Sequence, residues 1–193
     1  MPNLIKQIKE TMVKKGISAE IISQFNFLED KENQSEIIIN IINQMDKLLS
    51  REQCLSIMEE QGCCTSGKPA KAHQDFGKKY SGKTIEERIK LFDKMETQHK
   101  VPPKLNEDGT LSVFWGFGNE GDYKCVCGFI KKLPQQIKVS KTFCGCCGGH
   151  IRKNFQRSLG KKLKLKKIVS SAISSKGKKR CEFIFGIENE SKK

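Results

Sequence analysis

The segment Phe143-Cys144-Gly145-Cys146-Cys147-Gly148-Gly149-His150 constrains this chain more than any other. Three thiols and an imidazole fall within seven positions. Behind them Cys147, Ile151, Phe155 and Leu159 recur every fourth residue, so they share one face of a helix. Gly160 follows as the residue at which such a helix stops. The apolar face fixes the helix against a core, and its first turn presents the sulfurs and His150. Unpaired N–H groups and the dipole at a helix N-terminus favour thiolate, the form that binds metal or attacks electrophiles. A single Cys here would read as a small side chain packed where Gly-rich backbone crowds. Three beside a His point instead to a metal or reactive site.

The chain has 193 residues, enough for one domain of ordinary size or one domain with a helical extension. It can bury a core without disulfides. A hydrophobic content of 36% suits a soluble protein, and no apolar run has the length that spans a bilayer. Met1 to Glu10 carries charges and lacks the apolar centre of a secretion signal. The expected compartment is therefore a reducing cytoplasm. Nine cysteines there are a poor disulfide framework, and an odd number cannot all pair within one chain. Metal binding, thiol chemistry and packing remain.

The formal charge of +14 is uneven. Residues 131–193 hold 18 Lys or Arg against three Glu, a net +15, and residues 1–130 are close to neutral. Such an excess attracts nucleic acid or another anionic surface. Along the chain, however, aromatics are not interleaved among these lysines as in single-strand binders. A solvated lysine-rich sheet face is favoured over a nucleic-acid partner.

Residues 1–103 read as a helical region. Leu4, Ile5, Ile8 and Met12 keep helical spacing up to Gly16. Ser18 is an N-cap, with Ile17 and Ile22 placed as a hydrophobic staple. Asn33 to Ser35 offers another cap, and the stripe Ile37, Ile38, Ile41, Ile42, Met45, Leu48 and Leu49 is wide enough for burial on more than one side. Ser50 with Gln53, and Thr84 with Glu87, have capping-box spacing. Cys63-Cys64 follow Gly62 and read as thiols or ligands, because adjacent cysteines form only a strained disulfide. Thr65 to Lys71 reads as a loop. His73 alone reads as a surface or satisfied histidine. The face left by this region suits packing or a homodimer. Val101-Pro102-Pro103 marks the architectural break.

Residues 104–193 read as an α+β domain. Leu111, Val113, Trp115 and Phe117 alternate as a strand, and Tyr123, Cys125, Cys127 and Phe129 as its hairpin partner. That alternation puts Cys125 and Cys127 on one face, about 6–7 Å apart. Lys161 to Ser174 reads as a long strand with a bulge at Lys167, and Cys181, Phe183, Phe185 and Ile187 as the next. The expected fold is therefore N-terminal helices followed by a four-stranded antiparallel sheet ordered hairpin, helix, hairpin. It would gather Cys125, Cys127, Cys144, Cys146, Cys147 and His150, joined by Cys63 and Cys64.

Cys146-Cys147-Gly148-Gly149-His150, the helix to Gly160, the strand after it, and Gly177 to Cys181-Glu182-Phe183-Ile184-Phe185 together resemble the 4-vinyl reductase domain. Cysteine-rich bacterial proteins of unknown function, some labelled L-2-amino-thiazoline-4-carboxylic acid hydrolase-like, look similar. The likeness runs from about Leu111 to Ile187. It implies a small-molecule-binding α/β fold related to haem nitric-oxide and Golgi-tethering ligand domains, with Cys and His in metal binding. Lys178-Lys179-Arg180 stands before Cys181 where the family commonly has an acidic residue.

Three functions follow as expectations. The first is a cytoplasmic binding or sensor module. Its Cys/His cluster would hold zinc, or alternatively an iron–sulfur cluster, and Trp115, Phe117 and Phe129 would line a small-molecule pocket. The second is a cysteine-dependent enzyme with Cys144, Cys146 or Cys147 as nucleophile and His150 as base. The third is nucleic-acid binding through the basic C-terminal sheet.

Overall fold

The structure is a computed structural model and describes residues 4–27, 34–62, 66–95, 101–130 and 138–188. Six helices come first: α1 (Leu4–Lys14), α2 (Ala19–Ser23), α3 (Gln34–Leu48), α4 (Arg51–Met58), α5 (Lys68–Lys79) and α6 (Ile85–Lys90). Strands β1 (Lys104–Leu105) and β2 (Thr110–Trp115) follow, then α7 (Gly145–Leu159), β3 (Lys162–Ser170) and β4 (Cys181–Glu188). The class is α+β with an antiparallel sheet in the order β1-β2-β4-β3. No helix among the described residues is long and apolar enough to cross a membrane.

Local chemistry sets the helix ends. Ser18 and Ser50 cap α2 and α4 by accepting from Ile21 N and Gln53 N. Ser50 with Gln53, and Thr84 with Glu87, form complete capping boxes. Helix α5 begins at Lys68, three residues before the end of the expected loop, because Pro69 suits a first turn, where its missing N–H is not needed. Gly160 ends α7 at φ 66, a left-handed cap donating to the Gln156 carbonyl at 2.9 Å.

The expected Tyr123–Phe129 strand does not form. One isolated bridge, Phe117 to Lys124, is all that remains of the hairpin. Strand β2 already pairs with β1 on one side and β4 on the other, so it has no free edge to offer. Gly116 and Gly118, at φ 124 and 114, turn the chain away directly after Trp115. The first hairpin is instead β1–β2. At the other end β3 stops at Ser170, four residues short of expectation, and residues 171–179 turn back to β4. Its register slips between Leu165 and Lys167, the bulge the broken alternation predicts.

Helix α7 crosses one face of the sheet. Ile151, Phe155 and Leu159 pack there with Leu111, Val113, Leu163, Leu165, Phe183 and Phe185, all buried. A second cluster joins Ile5, Ile8 and Met12 of α1 and Ile38, Ile41 and Ile42 of α3 to Phe129, Phe143 and Cys146. Both clusters draw residues from either side of the 103/104 boundary.

Candidate functional site

The glycines at the start of α7 are explained by close packing. A Cβ on Gly145 would lie 2.6 Å from Met58 Cβ, and one on Gly148 2.7 Å from Leu165 Cδ2. On Gly149 it would overlap the carbonyl group of Glu59. Gly62 packs in turn on the backbone of Gly149 and His150. The first turn of α7 is therefore wedged between α4, the single 3-10 turn Glu59–Gln61 that follows it, and β3.

The thiols flank this wedge, Cys146 on the side of the 59–61 turn and Cys144 and Cys147 on the side of Cys181, Cys125 and Cys127. Cys147 is half-buried and shares a hydrogen bond with Cys127, which stands in the irregular segment after β2. That bond, burial, and the nearby Cys127, Cys146 and Cys144 sulfurs push Cys147 well above an ordinary thiol. Cys144 is pushed up to about 12, by burial first and then by Cys181; a hydrogen bond with Ser171 opposes this, and Cys125 and Cys127 add to it. Cys146 points the other way and donates to the Gln61 carbonyl at 3.3 Å. Cys181 is raised by burial and accepts from Ala172 N at 3.4 Å. Alternation along β4 put Cys181 on the inner face, but nothing in the sequence tied it to Cys144.

The helix-dipole expectation is thus reversed at Cys144 and Cys147. The dipole effect is modest and confined to a first turn, whereas desolvation among other sulfurs disfavours a thiolate strongly. Thiolate fraction falls tenfold per unit of pKa above the ambient pH. We expect Cys144 to react with iodoacetamide at pH 7 about two to three orders of magnitude more slowly in the native protein than in the unfolded chain, and Cys147 to be slowed as well. Mass-spectrometric labelling rates check this, and rapid modification of either residue contradicts it.

His150 is turned toward the sheet. Its ring meets the indole of Trp115 edge-on at 5.4 Å, and Nε2 lies 3.2 Å from the Asn154 amide. Among the described residues no group of three His, Cys, Asp or Glu side chains is placed to hold a metal ion. Cys63 and Cys64 lie outside the described residues. The three proposed pocket aromatics go to three places. Trp115 is buried in the α7–sheet core, Phe129 stacks on Phe143 at 5.0 Å in the second cluster, and Phe117 is 45% exposed. His73 is buried, with Nδ1 3.1 Å from Ser158 Oγ and its ring against Phe92 and Phe155.

A polar cluster that the sequence reading missed lies at the open edge of the sheet. Glu59 is 4% exposed. It pairs with Arg152 at 3.2 Å and accepts from Leu165 N at 3.1 Å. Arg152 also reaches Glu60 at 3.4 Å. Gln156 accepts from Leu163 N at 2.9 Å, so side chains of α7 and the turn cap the outward N–H groups of edge strand β3. An open cleft of about 950 Å³ runs along this edge. The only signal in the sequence was an acidic pair closing an apolar helix, and its partner stands 93 positions further on.

The fold and site define an α+β domain with a sulfur-rich helix start. No family model matches the chain, and neither curated proteins nor solved structures provide a match.

Proposed function

We propose that this protein is a binding or sensor module whose working groups are the thiols where residues 123–127 meet the start of α7. Its ligand is a thiophilic metal ion, with zinc in first place. The observation that carries the reading is the contact between Cys127 and Cys147, two sulfurs from separate segments. Sulfurs that raise one another's pKa are relieved by a cation, which takes up thiolates and releases their protons. The described residues supply a pair and not a closed shell. Two further ligands must join it for the tetrahedral geometry zinc prefers. Cys144, which Cys125 and Cys127 both influence, is one source. Cys125 and Cys127 stand on backbone outside any helix or strand.

This reading is preferred to a cysteine-dependent enzyme because burial at Cys144, and the Cys127 hydrogen bond together with burial at Cys147, favour the protonated thiol, the wrong state for a nucleophile. It leaves out the aromatic pocket, whose members stand apart.

Elemental analysis of anaerobically purified protein tests it. The expected result is about one zinc per chain, with affinity lowered by more than about 100-fold in Cys127→Ser and in Cys147→Ser, beyond what an outer-shell change costs. Background metal in the wild type, with no uptake on titration, rules the proposal out.

A further inference from the structure

The outer face of the sheet, opposite α7, gathers what the sequence keeps apart. Alternation assigns Lys104, Thr110, Ser112 and Phe114 to this face from β1 and β2. It adds Glu182, Ile184 and Gly186 from β4, and Lys164, Lys167 and Ser170 from β3. Bulged Lys166 lies across it as well, since a Cβ on Gly186 would meet the Lys166 side chain at 2.8 Å. The inner-face residues of these strands are mostly buried, whereas Phe114, Ile184 and Gly186 are half-exposed. The Arg180 guanidinium lies over the Phe114 ring at 4.1 Å.

The linear sequence does not interleave aromatics among the C-terminal lysines. Pairing of β2 with β4 does so, setting Phe114 directly opposite Glu182 and beneath Arg180. Lys104 and Lys167 stand one row along the face from this platform, beside Ser112 and Ile184, with Lys166 a row further at Gly186, and all three are exposed. Lys164 is partly spent on Glu52, 3.1 Å away, and Glu182 is the acidic residue of the face.

We propose that this face binds single-stranded nucleic acid. A base stacks on the Phe114–Arg180 pair, and Lys104, Lys166 and Lys167 follow the phosphates. The charge is complementary to a polyanion. An arginine plane backed by an aromatic ring is a surface on which an unpaired base stacks, whereas a duplex buries its base faces. This site is separate from the thiol cluster, on the other side of the sheet from α7.

Fluorescence anisotropy with labelled oligothymidylate and oligouridylate of about 15 nucleotides tests the proposal on the full chain. Binding is expected at about 50 mM salt and should weaken roughly 20-fold by about 200 mM if each of the three lysines engages a phosphate. The two probes separate DNA from RNA preference. Phe114→Ala should weaken binding by about 5-fold or more, the lower end of the loss of one stacked base. Lys166→Glu with Lys167→Glu should weaken it further, and because both side chains are exposed this variant remains informative should Phe114→Ala misfold. Cys127→Ser should leave binding unchanged, which separates this site from the metal site. The proposal is overturned by no binding at low salt. It is equally overturned by equal affinity for duplex with no effect of Phe114→Ala, or by binding to anionic vesicles without binding to either oligonucleotide.

Discussion

Gly149→Ala is expected to cost this protein at least about 3 kcal/mol. Alanine ordinarily stabilises a helix interior by up to about 1 kcal/mol relative to glycine. Here the added methyl would overlap the carbonyl oxygen of Glu59 and lie 2.6 Å from its carbonyl carbon, and both are backbone atoms that no rotamer change can move. Overpacking a rigid contact costs about 1–3 kcal/mol or more, and relief would require α7 to lift off the 59–61 turn that holds Gly62 and Arg152. Gly77→Ala meets the same obstacle on the opposite side, where α5 presses on the Arg157 carbonyl. Gly82 is the control. Nothing lies within 4 Å of its added Cβ, so Gly82→Ala should be neutral or stabilising by about 0.4–1 kcal/mol. Urea denaturation of the three variants checks the ranking. A Gly149→Ala protein as stable as wild type contradicts the packing.

Arg152→Ala should be at least as damaging. Glu59 is 4% exposed and would be left as a buried carboxylate without its cation, a change that costs about 3–5 kcal/mol. Glu59→Gln should cost less, because the amide oxygen still accepts from Leu165 N while Arg152 keeps Glu60. The pair also has a pH signature. Burial raises the Glu59 pKa above its ordinary value despite Arg152 and the Leu165 hydrogen bond. The native state therefore holds its proton more tightly than the unfolded chain does. The stability from this group is fully present below the ordinary glutamate pKa and is lost as pH rises through the folded value. Glu60 has the opposite sign. Burial alone would raise it, but Arg152 and Lys15 lower it overall, so its contribution is lost as pH falls. Glu59→Gln should remove the first trend and Arg152→Ala should steepen it. Stability curves across the carboxylate range measure both.

Elements with a strong one-sided pattern were legible in the sequence. Helix α7 keeps its apolar residues every fourth position, and Gly160 has no substitute as its left-handed cap. Strand β4 alternates because one face meets α7 and the other faces outward, and the Lys167 bulge showed as a break in the same rhythm. The failures arise where the deciding fact is long-range. Tyr123, Cys125, Cys127 and Phe129 alternate like a strand, yet no edge of β2 was free to receive them. Strand β1 is two residues long and leaves no periodicity to read.

The site was legible in part, for similar reasons. The density of sulfur at 144–147 is visible in any reading. Its ionisation is not, because that depends on Cys181, Cys125 and Cys127 arriving from elsewhere. The Gly-rich backbone between the thiols read as a place where chain packs closely, but its partners Met58, Glu59 and Leu165 could not be named from the sequence. His150 stood beside the thiols in sequence, but its place in the helix turns the ring toward Trp115 and Asn154.

Anaerobic titration with cobalt(II), a spectroscopic stand-in for zinc, examines the thiol cluster most directly. The account predicts a sulfur-to-metal charge-transfer band that saturates near one equivalent and is lost in both Cys127→Ser and Cys147→Ser. Absence of that band in the wild type, or its survival intact in both variants, would contradict it.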